Sequence, residues 1–211
     1  MSMRSSLQRS GSVTADLPLG ADRELALLHT PARVRAAMEA LFAIDAAMAD
    51  VVTRSSEPTL GRIKLAWWRE QLEALDDRPP PPEPRLQAVT EHLLPAGING
   101  AEIAELEAGW ATLLDQQPDP ALVASRGAIL FQLGAHVLGR GDSMLADAGE
   151  LYALALTGSR EAKDRLKQLG SHRFPRALRP LTMLARGAAY PGHGRRRVLA
   201  MLAHRWTGRI S

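Results

Sequence analysis

Cysteine is missing from all 211 residues. Its absence removes disulfides, thiolate metal sites, iron–sulfur clusters and cysteine nucleophiles at one stroke. Stretches of two-residue apolar alternation are missing too, as are hairpin dipeptides between apolar runs, so nothing in the chain reads as a sheet. No apolar run approaches the roughly 18–20 residues of a spanning helix, and no signal-peptide core follows the start. These absences predict a soluble, cytoplasmic protein. With 45% apolar and 23% charged residues, the chain is long enough to bury about 70% of its unfolded surface in one core.

Paired acids are scarce as well. Helical bundles that work on Mg²⁺-bound phosphates use carboxylates one turn apart, ~40° around the axis. Of the 11 Asp, only Asp115 and Asp119 stand four apart, with Pro118 between them. Asp45/Asp50 and Asp142/Asp147 are five apart, ~140° around a regular helix. Glu73 and Asp77 fall at a helix end facing a proline run. The six His (29, 92, 136, 172, 193, 204) include no pair four apart, and His136 between apolar neighbours reads as a structural imidazole. There is no nucleophile elbow, phosphate-binding loop or dinucleotide fingerprint. The residues by themselves predict no metal site and no catalytic group.

What the chain does have is a charge split. Residues 160–211 hold 13 Lys/Arg against Glu161 and Asp164 alone, whereas residues 1–159 carry the acid excess within an overall charge of +3. Such a tail suits an anionic membrane surface, a diphosphate or an acidic protein partner. The plainer alternative is a solvated face docked partly on the chain's own acids. Arg195-Arg196-Arg197 offer a nucleic-acid contact, but Phe174, Tyr190 and Trp206 are the only stacking partners nearby, so nucleic acid is not expected.

Residues 1–20 read as an unstructured arm, and residues 21–211 as a single all-α domain of roughly eight helices. Thr30-Pro31 predicts a capped start, followed by a stripe through Val34, Met38, Leu41, Asp45, Met48 and Val52. Glu57-Pro58 opens a helix with Leu60, Ile63, Trp67 and Leu75 on its apolar side. After the Pro79–Pro82 connector, Asn99 and Glu102 form a capping box for a helix through Leu113. Asp119-Pro120 opens the next, which Gly139 closes. Further helices run from Met144 to Leu156, from a Ser159 cap to Leu169, from Pro175 past Pro180, and over Arg195–Trp206.

The string Leu65-Ala66-Trp67-Trp68-Arg69-Glu70 holds half of the four Trp and reads first as a core anchor, second as a ligand wall. With Ala40–Asp45 and Glu57-Pro58-Thr59-Leu60-Gly61-Arg62, it resembles the squalene/phytoene synthase family, over roughly residues 22–208. Arg126–Gly139 and Phe174–Leu181 are similar to it as well. The resemblance implies an isoprenoid-synthase-like bundle around a central cavity that holds a prenyl diphosphate or lipid. It also implies head-to-head prenyl transfer with Mg²⁺ on two Asp-rich motifs. Laid on this chain, those motifs keep only Asp50 and Asp164; Ala49, Thr53 and Arg160 stand at other ligand positions. The branch with this tryptophan helix includes homologues that keep the fold without the ligands, among them a mitochondrial assembly factor for respiratory complex I. The expectation is therefore a pseudoenzyme that needs no cofactor, with Trp67, Trp68, Arg69, Arg173 and Arg176 as ligand contacts. Mg²⁺ enters only if the alternative, an active transferase, holds.

Overall fold

The computed structural model describes residues 19–190 and 194–210, and among them every regular element is helical. Eleven α-helices follow in order: α1 Leu19–Leu28, α2 Ala32–Arg54, α3 Pro58–Ala74, α4 Pro84–His92, α5 Gly100–Ala104, α6 Leu106–Ala111, α7 Pro120–Leu138, α8 Leu145–Leu156, α9 Ala162–Leu169, α10 Arg179–Ala189 and α11 Arg195–Thr207. The count exceeds eight partly because the helix expected from Asn99 to Leu113 breaks at Glu105 into α5 and α6. The proposed arm lies outside the described residues up to residue 18, and α1 already begins at Leu19.

Several boundaries form as their side chains dictate. Asn99 Oδ1 accepts from the Glu102 amide at 2.8 Å, and Glu102 Oε2 accepts from the Asn99 amide at 2.9 Å, so the capping box is complete. Asp119 caps α7 through the Ala121 amide at 2.8 Å. Gly139 closes that helix at φ 65°, a left-handed conformation that favours glycine. Two caps differ from expectation. Thr30 donates its hydroxyl to the Ala26 carbonyl at 2.9 Å, and Pro31 takes the cap position of α2 without a side-chain bond. Ser159 bonds Glu161 rather than an α9 amide. Pro180 lies in the first turn of α10, so it delays that helix without kinking it.

α7 and α8 form the centre. A Cβ added to Gly127 would lie 2.0 Å from the Gly149 carbonyl oxygen, so the two backbones touch and both positions need glycine. α2 and α6 pack on α7, α10 packs on α8, and α1 and α11 pack on α10. α7 corrects one expectation. Its 19 residues, with a mean hydropathy of 1.4 over an 18-residue window, are long and apolar enough to cross a membrane. Arg126, Gln132 and His136 interrupt the run of apolar letters without lowering the average enough. Two-thirds of that window, 67%, is buried inside the bundle.

α3 is rotated from its expected setting. Leu65, Trp68 and Leu72 are buried with Gly61, whereas Leu60, Ile63 and Trp67 are exposed. Gly61 sets the rotation: a Cβ there would meet Leu114 Cδ1 at 2.8 Å, so this bare position lies against η-turn residue Leu114. Of the expected stripe only Leu75 is buried.

Candidate functional site

The lone acid in the α2 stripe organises the interior. Asp45 is fully buried and accepts from Trp110 Nε1 at 2.7 Å and Arg126 Nη1 at 3.0 Å, while Arg23 Nη2 pairs with its other oxygen. Arg23 also donates to the Phe42 carbonyl at 2.9 Å and to the Tyr152 hydroxyl at 3.3 Å. The Arg126 guanidinium lies 3.9 Å from the Trp110 ring centre, a close cation–π contact. Burial alone would push the Asp45 carboxyl up. Arg126 and Arg23, with the hydrogen bonds from Arg23 and Trp110, outweigh it and hold the group below the ordinary carboxylate range. None of the four described cavities is lined by these residues. They tie α1, α2, α6, α7 and α8 together.

The two remnants of the Asp-rich motifs lie on different helices, α2 and α9. Asp50 is exposed on α2 and faces Arg54 at 3.6 Å; Thr53 turns its hydroxyl back to the Ala49 carbonyl. Asp164 is exposed on α9 and faces Lys167 at 3.4 Å. It shares a cavity of ≈ 420 Å³ with Asp119, Glu161 and Arg165. Among the described residues no group of three His, Asp or Glu is placed to hold a metal ion. Lone carboxylates, each beside its own cation, do not fit the Mg²⁺ that paired motifs would hold.

Trp67, Trp68 and Arg69 lie on α3, which packs on α2, α5 and α6. Trp68 is buried, and Trp67 stands edge-on to it at 5.1 Å. Arg69 lies 3.9 Å from both Glu73 and Glu107. Trp68 is thus the core anchor, and Trp67 is the half of the pair that meets solvent.

Arg173 and Arg176 belong to a different place, where the loop after α9 meets the end of α11. There a cavity of ≈ 600 Å³ is lined by His29, Arg176, Arg179, Leu202, Arg205 and Trp206. Arg179, nearly buried, donates Nε to the Phe174 carbonyl at 3.1 Å and Nη1 to the carbonyls of Arg205 and Trp206 at 3.1 and 2.9 Å. Arg173 Nε reaches the Thr207 carbonyl at 2.9 Å. These cations complement the negative end of α11, which amounts to roughly half a charge. Burial first, then Arg173, Arg176 and Arg205, lower the Arg179 pKa. Among the described residues no carboxylate pairs with Arg173, Arg176, Arg179 or Arg205. The three-residue spacing of Arg173, Arg176 and Arg179 is the sequence signal for this cluster, whereas Arg205 joins it only through the fold.

The outer face of α11 continues the site. Leu199 is 64% exposed and Trp206 81% exposed, with Val198 and Leu202 beside them. Positions 199, 202, 203 and 206 fall on one helical face. Arg195 and Arg196 are exposed on the first turn, whereas Arg197 pairs with Asp22, its Nε 2.8 Å from the carboxylate. The basic tail is thus partly docked on the chain's acids, through Arg197–Asp22, Arg165–Glu150 and His172–Asp142. The rest is open.

The squalene/phytoene synthase family model matches residues 20–122. That stretch contains Asp45, Asp50 and the tryptophan helix and ends before the arginine cavity. No curated protein and no solved structure matches the chain. Over residues 20–122, just under half of its length, the chain is similar to the squalene/phytoene synthase family, and its all-α architecture is consistent with the isoprenoid-synthase fold.

Proposed function

We propose that this chain is a non-catalytic member of a short family branch with degenerate Asp-rich motifs, comparable to the complex I assembly factor. In this reading it acts as a binding or assembly factor at an anionic membrane surface. The observation that carries the reading is the pairing, on α11, of an exposed Leu199–Trp206 stripe with Arg195, Arg196 and Arg205, which have no carboxylate partner among the described residues. An amphipathic helix of that kind lies in the headgroup region, its apolar side in the acyl boundary and its cations among anionic lipids. A cytoplasmic protein peripheral to such a membrane accounts for both.

The second reading, an active head-to-head prenyl transferase, draws on the family match itself. Departure of diphosphate from a prenyl group needs its developing charge neutralised, which in this fold Mg²⁺ does through acids a turn apart. Asp50 and Asp164 do not supply such a pair. Incubation with farnesyl or geranylgeranyl diphosphate and Mg²⁺, following diphosphate release, decides between the two. The non-catalytic reading expects no turnover. Turnover that disappears in Asp50→Asn or Asp164→Asn would establish the enzyme instead.

A further inference from the structure

The cavity beside α11 has features that a solvated basic face does not need. It is concave, at ≈ 600 Å³, with Arg176, Arg179, Arg205 and His29 on its walls and no acid among the described residues that line it. One cation is fixed in place: Arg179 is 5% exposed and bonded to three carbonyls. Against roughly half a negative charge from the end of α11, three guanidinium groups leave a surplus of about two and a half positive charges. Leu202 and Trp206 complete the wall and lead onto the exposed apolar stripe.

We infer that this cavity binds a terminal phosphate, a phosphomonoester or diphosphate, whose apolar arm runs out along Leu202 and Trp206. A terminal phosphate carries about −1.5 to −2 charges at neutral pH and three acceptor oxygens, which lies nearer the surplus than the single charge of a phosphodiester. Guanidinium forks bind such oxygens in pairs, and the immobile Arg179 gives the group a fixed floor. The inference rests on the membrane reading only for the source of the phosphate, a lipid headgroup or a free phosphate compound.

Two probes on the full chain test it. Inorganic diphosphate is titrated by calorimetry, and vesicles containing phosphatidic acid are compared with phosphatidylglycerol vesicles of equal surface charge. The variants are Arg176→Gln, an exposed position, and Arg176→Gln/Arg205→Gln, each checked for an unchanged melting temperature. The expected result is a loss of at least tenfold in diphosphate affinity, or of the preference for phosphatidic acid over phosphatidylglycerol. Diphosphate binding identifies a free phosphate as sufficient; preference for phosphatidic acid without it identifies the headgroup. If the wild-type chain shows neither, or the variants keep both, the inference is wrong. Diphosphate binding without any vesicle binding would overturn the membrane reading and leave this site standing.

Discussion

Arg23 and Arg126 converge on one carboxylate in the interior, whereas Arg176 and Arg205 converge on a cavity that has none. The first pair is sealed, bonded to Asp45, Phe42 and Tyr152, and stacked on Trp110. The second pair is reachable from solvent and shares its cavity with buried Arg179, which bonds main-chain carbonyls. The same side chain therefore does opposite work in the two regions. Where the partner charge is built in, arginine holds helices together; in the proposed reading, where it is left out, a ligand brings its own.

The largest effect should follow from breaking the interior cluster. Asp45→Ala strands two buried guanidinium groups and should cost about 3–5 kcal/mol by urea denaturation. Arg176→Gln should stay within about 0.5 kcal/mol. Equal effects at the two positions would erase the distinction between the regions.

A second way to sharpen it is acid titration. His204, buried beside the arginine cavity, donates Nδ1–H to the Arg209 carbonyl at 2.8 Å and takes Thr182 Oγ1 at 2.8 Å on Nε2. Burial first, then Arg179, Arg186 and Arg205, bring its pKa down to about 4, against an opposing contribution from the Arg209 carbonyl. The unfolded chain binds a proton that the folded one refuses. This contribution is therefore fully present above about pH 6.5 and is lost as pH falls towards 4, by about 3 kcal/mol in all. Asp45, whose pKa is lowered, adds nothing in that window; its stabilisation goes only at lower pH. Stability measured from pH 7 to 4 should show the loss, and His204→Gln should flatten it.

The smallest effect concerns α3. Ile63→Gln, on its exposed face, should change stability by no more than about 0.5 kcal/mol in the same denaturation experiment, whereas Leu65→Ala should cost about 2–5 kcal/mol. The order would reverse if the expected apolar stripe were the buried one.

Legibility in the sequence followed the range of the interaction. The Asn99–Glu102 box, the Asp119 cap and the Gly139 stop are local, and each formed where its letters stood. The rotation of α3 was hidden because its buried side is opened by a glycine, which hydrophobic periodicity does not count. Asp45 looked like an interruption because its partners lie 22, 65 and 81 residues away. A charge inside an apolar stripe demands a partner, and that demand was the available clue. Arg173 and Arg176 stood out by charge alone, while the cavity that joins Arg176 to Arg205 and Trp206 needed α11 folded back on the Phe174 loop.

The claim that the open arginine region meets an anionic bilayer is tested most directly by co-sedimentation with vesicles. The wild-type chain should bind phosphatidylglycerol-containing vesicles better than neutral ones and release with salt. Arg195→Glu/Arg196→Glu should weaken binding by about 1 kcal/mol or more for each arginine reversed. Arg197 is left intact because it holds Asp22. Binding that is indifferent to vesicle charge and to salt would contradict the account.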